Sequence, residues 1–201
     1  MSRGGAKVGV AAPPLFGDMR EHHTVYLSML NAFMSARLPA EERERQAKAR
    51  RERTDIPWAA AKAAAASATV ADWLVWHARR ETYRAAYRDF FRDWDILLAP
   101  ITLRTAFPHI DLPWPPDVNG PVTLVDIDGV QHPYENQLVY PGLATLSGQP
   151  ATAFPTGLSK EGVPVGLQAI GPYLEDLTPI RFAGLAAQEM GGYWRPPGFD
   201  D

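Results

Sequence analysis

The chain contains no cysteine, which excludes a disulfide framework, a thiolate nucleophile and any cysteine-ligated metal. A reducing compartment suits such a sequence, and the cytoplasm is its expected location. Long apolar runs are also missing. No window reaches the roughly 18 apolar residues of a membrane-spanning helix, and the opening MSRGGAKVGVAAPP lacks the apolar core of a secretory signal. Neither sign of charge is in excess. Twenty Lys and Arg face 23 Asp and Glu, a net charge of -3, so there is no electrostatic footprint for nucleic acid or an acidic lipid surface. No segment repeats at a fixed period, which excludes a solenoid. What is present is an ordinary globular mixture, 46% hydrophobic and 21% charged over 201 residues, with room for one real core.

Helical patterns occupy most of the first half. Ala6 to Val10 reads as a short strand that needs neighbours. Between Met19 and Leu38, the residues Val25, Leu27, Met29, Leu30, Phe33 and Met34 suit a mostly buried helix stopped by Pro39. His22 and His23 near its start point in different directions on a helix and lack further ligands at helical spacing, so no metal site is expected. Glu41 to Arg53 alternates acids and bases, with Glu41–Arg45 and Glu44–Lys48 at the i, i+4 spacing of a solvated helix rather than a nucleic-acid arm. Trp58 to Ala68 is another helix. Thr69 with Asp72 resembles a capping box, and Trp73, Trp76, Arg80, Tyr83, Tyr87, Phe90 and Trp94 then recur at spacings of three and four. That aromatic stripe reads as core rather than as a stacking platform. Arg80 within it either snorkels, pairs with a carboxylate or reaches a substrate.

Asp95 to Ala99 is a short apolar strand leading into a turn-rich loop from Ile101 to Val122, the kind of long loop that forms lids. Asp111 and Asp117 in this loop read as solvated carboxylates. The Asp128–Gly129 turn between β-prone residues marks a hairpin, and its DxDG lacks the further oxygens of a calcium loop. YENQLVYPGLATLSG is a helix that Pro141 can bend. In LATLSGQPATAFPTGLSKEGVPVGLQAIG, from Leu143 to Gly171, the helix ends at Gly148 and Pro150. Two strands then follow, ATAFP and Val163 to Ile170, separated by a polar turn at Ser159–Gly162. Asp176 to Met190 forms a last helix with Ile180, Ala183, Leu185, Ala186 and Met190 inward, and the tail is held by Tyr193 and Trp194.

The spacing of Gly148, Pro150, Ala151, Pro155 and Gly157, followed by PVGLQ and IG, resembles the C-terminal part of amidase signature family hydrolases, as does the DxLLxP-like strand after a long helix. The resemblance extends from about Gly5 to Phe199. It implies an α/β fold, part of a three-layer α/β/α sandwich with a mixed sheet that is incomplete at its N-terminal side, so that residues 1–201 are the C-terminal part of a single amidase domain. The family uses an activated serine, a second serine and a lysine, with backbone amides stabilising the oxyanion. This chain has only Lys7, Lys48, Lys62 and Lys160 and no glycine-flanked Ser-Ser pair, so no catalytic residue is assigned to it, and no cofactor is expected.

The resemblance further implies that the helix before the G-x-P-A turn lines the substrate channel, which assigns substrate contact to Leu138, Gly142 and Glu135. Where relatives acting on amino-acid amides place an acid to hold an ammonium, Leu138 stands, which favours an apolar acyl or amine group. The expected function is therefore the pocket wall of an amidase that cleaves carbon-nitrogen bonds through an acyl-serine intermediate and is inactive alone. The expected partners are a small-molecule amide and either the missing N-terminal half or a second copy. The alternative is a non-catalytic scaffold that pairs with a separate catalytic chain.

Overall fold

The computed structural model describes residues 5–14, 18–111, 120 and 122–195. Its helices are α1 (Met19–Ser35), α2 (Ala40–Arg51), α3 (Ala59–Ala66), α4 (Val70–Phe90), α5 (Val139–Ser147) and α6 (Leu177–Met190), with a 3-10 helix, Tyr134–Leu138, leading into α5. The strands are β1 (Leu97–Pro100), β2 (Leu124–Ile127), β3 (Val130–Pro133), β4 (Ala151–Leu158) and β5 (Pro164–Ile170). The larger sheet has the order β1-β5-β4, antiparallel throughout, with Ile170 opposite both Leu97 and Ala151.

Alternation along these strands builds three layers, because successive side chains leave a strand on opposite faces. Leu98, Leu167, Ala169 and Phe154 pack with Phe182, Ala183, Ala186 and Met190 of α6. On the other face Leu97, Ala99 and Ile170 meet Val25, Tyr26 and Leu27 of α1, Tyr83 and Tyr87 of α4, and Leu143 and Leu146 of α5. The α/β/α arrangement expected of the sequence is present. The aromatic stripe of α4 is core: Tyr83, Tyr87 and Phe90 are buried, and the Tyr87 hydroxyl donates to the Leu143 carbonyl at 3.1 Å.

The local signals act as their chemistry requires. Thr69 and Asp72 form a reciprocal capping box at the start of α4. Gly148 takes φ +70° and ends α5, with Gln149 N–H donating to Ala144 O at 3.0 Å and Gly148 N–H to Thr145 O at 3.3 Å, the paired bonds of a glycine-terminated helix. Asp128 and Gly129, at φ +52° and +82°, turn the β2-β3 hairpin.

Several expectations need correction. Residues 6–10 are exposed and outside any ladder, with Gly9 set so close to Trp94 that a Cβ would lie 2.5 Å from the ring; the segment has the sequence of a strand without a partner. In α2 Glu44 pairs with Arg51 rather than with Lys48, and Glu42 pairs with Arg45. Phe33 and Met34 of α1 are exposed, as are Ile180 and Leu185 of α6, whose inward face is made by the expected Ala183, Ala186 and Met190 together with Pro179. An apolar helix of this kind has no single face that periodicity can select. Tyr193 and Trp194 are exposed rather than anchoring the tail. Pro141 is the third residue of α5, where a helix needs no N–H; the irregularity lies one turn earlier, as 3-10 helix. Asp117 lies outside the described residues.

Candidate functional site

The 3-10 helix and the start of α5 lie against the loop that leaves β1, and two buried glutamines join them. Gln168 of β5 donates through Nε2 to Pro100 O at 2.8 Å and to Tyr140 O at 2.9 Å, so one amide ties the end of β1 to α5. Gln137 accepts through Oε1 from the Thr102 hydroxyl and from Leu103 N–H, the latter at 3.3 Å. Farther along the loop, Arg104 donates to the Asp126 carbonyl and its guanidinium lies 5.5 Å from the centre of the Phe107 ring, which is edge-on to Tyr134. Sequence reasoning overlooked both glutamines. The available signal was a polar residue inside an otherwise apolar strand, PVGLQAI, since a buried amide must find partners.

The three residues assigned to substrate contact occupy different environments. Leu138 is half-buried against the core cluster of α1, α4 and α5. Glu135, one turn earlier, pairs with Lys62 of α3, and next to it Asn136 accepts from the Trp58 indole N–H at 2.8 Å. Gly142 is buried under Tyr26, where a Cβ would stand 3.1 Å from the ring. The first two flank one short stretch of backbone, whereas Gly142 sets how closely α5 approaches α1.

His22 and His23 contribute to this core as aromatic rings. His22 meets Tyr83 edge-on at 4.7 Å, and His23 meets Trp58 at 4.9 Å. Burial lowers both imidazoles to a pKa of about 4, opposed at His23 by the charge of Glu135, so both are neutral at pH 7. Burial likewise pushes the Tyr87 phenol up. No group of three His, Asp or Glu residues among the described residues is placed to hold a metal. Arg80 is partly buried, with Glu81 3.7 Å away as its nearest carboxylate.

Acyl transfer by serine needs an accessible hydroxyl with a base in hydrogen-bond reach. Ser147 is fully buried, and its Oγ has no hydrogen-bond partner among the described residues. Its carbonyl is held by Arg84 Nε at 2.9 Å, which fits a role in ending α5. Asp111 is in open solvent with His109 3.6 Å away.

Comparison with known proteins gives this arrangement a lineage. The chain is 34% identical over 128 residues to the AtzE subunit of 1-carboxybiuret hydrolase from Pseudomonas sp. (strain ADP), a match covering 59% of this chain and 24% of the relative. It is 32% identical over 111 residues to the A subunit of glutamyl-tRNA(Gln) amidotransferase from Brevibacillus brevis, covering 55% and 20%. The chain therefore spans a quarter or less of the length of these curated relatives. Among solved structures, 6-aminohexanoate cyclic dimer hydrolase superposes with a TM-score of 0.64 at 25% identity, covering 98% of this chain and 40% of that one. All three strands of the larger sheet, the glycine-ended helix before β4 and the glutamine-tied β1 loop lie within residues 23–178, which the Amidase family model matches, and the chain belongs to that family of amidase signature proteins.

Proposed function

We propose that this chain supplies the C-terminal part of an amidase that hydrolyses a carbon-nitrogen amide bond of an apolar substrate through an acyl-serine intermediate. The nucleophile and its lysine come from sequence outside these 201 residues. The observation that carries the reading is the joining of the β1 loop to the 3-10 helix and α5 through Gln137 and Gln168. It makes a stiff wall on a family scaffold whose only candidate serine at this position, Ser147, is buried without a base. In this wall Leu138 offers an apolar contact. Glu135 adds no free charge because Lys62 neutralises it, and Gly142 lets α5 sit close under Tyr26. A substrate ammonium would find no counter-charge there, so an uncharged group is favoured.

The partner is the complementary part of the domain, from the same or another polypeptide. Two relatives are named as subunits, which supports assembly with a further chain. No helix among the described residues is long and apolar enough to cross a membrane. The test is an assay of purified chain on aryl and alkyl amides. No turnover is expected from the chain alone, and turnover is expected once a polypeptide carrying the Ser-Ser-Lys half is co-expressed with it. Hydrolysis by the isolated chain that disappears in Ser147→Ala would overturn the reading.

A further inference from the structure

A second feature lies at the opposite end of α1. An open concavity of about 300 Å3 lies where the last turn of α1 and Ala36 just beyond it meet α2, the end of α3 and the first turn of α4, near the lower end of the roughly 300–1,000 Å3 range of small-ligand sites. Five alanines contribute to its wall, Phe33 and Trp73 add aromatic surface, and Arg43 is the one charged group lining it. Arg43 has no ion pair or side-chain hydrogen bond among the described residues, and its Nε is shielded from solvent without a partner. A guanidinium keeps its charge at any ordinary pH, and a desolvated N–H without an acceptor is unfavourable. The positive end of the 21-residue α4 faces the same space through Thr69 and Val70. Asp72 in that first turn has its carboxylate engaged by the Thr69 backbone and hydroxyl.

An apolar cavity with one unanswered cation suits a ligand that is hydrocarbon at one end and anionic at the other. We propose that this cavity binds a small apolar carboxylic acid in its ionised form, with the carboxylate on Arg43 and the hydrocarbon between Phe33, Trp73 and the alanines. The site is separate from the proposed amidase wall. Tyr26, which covers Gly142, lies nine residues from Ser35 on α1, about 13 Å along the helix axis. Binding therefore needs no catalytic partner and does not rest on the amidase reading.

The test titrates the purified full chain with octanoate, octanol and octylammonium below their micelle concentrations, using calorimetry and the Trp73 indole resonance. Octanoate is expected to bind one to one and at least tenfold more tightly than octanol, with octylammonium weakest. Arg43→Gln should weaken octanoate at least tenfold and leave octanol unchanged, whereas Ala36→Phe, at the exposed rim, should block all three. Circular dichroism establishes that both variants are folded. Equal affinity for octanoate and octanol, octanoate binding unaffected by either substitution, or no saturable binding would each overturn the proposal.

Discussion

At the scale of single residues, glycines and glutamines decide how the elements meet. Gly142 leaves no room for a larger side chain, because even a Cβ would stand 3.1 Å from Tyr26. Gly142→Leu forces α5 away from α1 and is expected to cost about 1–3 kcal/mol, the usual range for overpacking, read as a lower urea midpoint. A midpoint equal to that of the parent would mean that Tyr26 swings aside freely. Gln168 has a different role, serving two carbonyls on separate elements. Gln168→Leu should cost about 1–3 kcal/mol by leaving buried acceptors unanswered, with faster hydrogen exchange in the β1 loop and at the start of α5. Exchange confined to β5 would show that the tie is not what holds the wall. The two kinds of residue differed in how readable they were. Gly148 was legible because a helix ending in a left-handed residue calls for glycine. The role of Gly142 was hidden because it depends on a tyrosine 116 positions earlier in the chain, and no local pattern records that contact.

At the scale of elements, α4 was the most legible and α6 the least. Cap and period agree along α4, so its start and its buried aromatics follow from sequence, whereas the helix ends at Phe90, short of the Trp94 that the aromatic period reaches. Thr69→Ala removes the hydroxyl that accepts from Asp72 N–H and should cost about 1 kcal/mol; thermal melting would measure it, and an unchanged melting temperature would mean that packing alone fixes the start of α4. In α6 the sequence is apolar on too many sides for period to choose one face: Ala183 and Ala186 are buried as expected, but the sheet takes Pro179 and leaves Ile180 and Leu185 exposed.

Helix α1 carries a pH dependence that follows from its burial. His22 and His23 titrate near 4 in the folded chain, below the ordinary 6.5. The unfolded chain therefore binds more protons between those values, and stability rises with pH across that window. It is complete above about pH 6.5 and falls progressively toward pH 4, by about 1.4 kcal/mol per histidine for each unit of pKa difference. Urea midpoints at pH 7, 5.5 and 4.5 should decline, and the decline should be smaller in His22→Leu. A flat profile from pH 7 to 4.5 would mean that these imidazoles gain water or partners on protonation.

At the scale of the whole molecule, the surface is larger than a closed domain would need. The accessible area is 12985 Å2 for 22.2 kDa, against about 9,400 Å2 for a compact monomer of that mass. Residues 5–14, exposed except for Pro13, contribute to the excess, and so do exposed apolar side chains. Phe33 and Val70 are 67% and 77% exposed at one end of the molecule, and Leu177, Ile180 and Leu185 line the outer side of α6. Among the described residues both β1 and β4 pair on one side only, and open strand edges with apolar neighbours favour association. In the solved structure of 6-aminohexanoate cyclic dimer hydrolase the matched part is 40% of the chain, so the same layers there belong to a larger fold. The unpaired residues 6–10 fit this picture: a strand sequence beside a sheet edge, lacking the neighbour that would make it a strand. The isolated chain should accordingly show a mass that rises with concentration in light scattering, and Ile180→Lys combined with Leu185→Lys should reduce that rise while leaving the helical signal intact. A single monomeric mass over a hundredfold concentration range would contradict this and would mean that the exposed faces are tolerated in water.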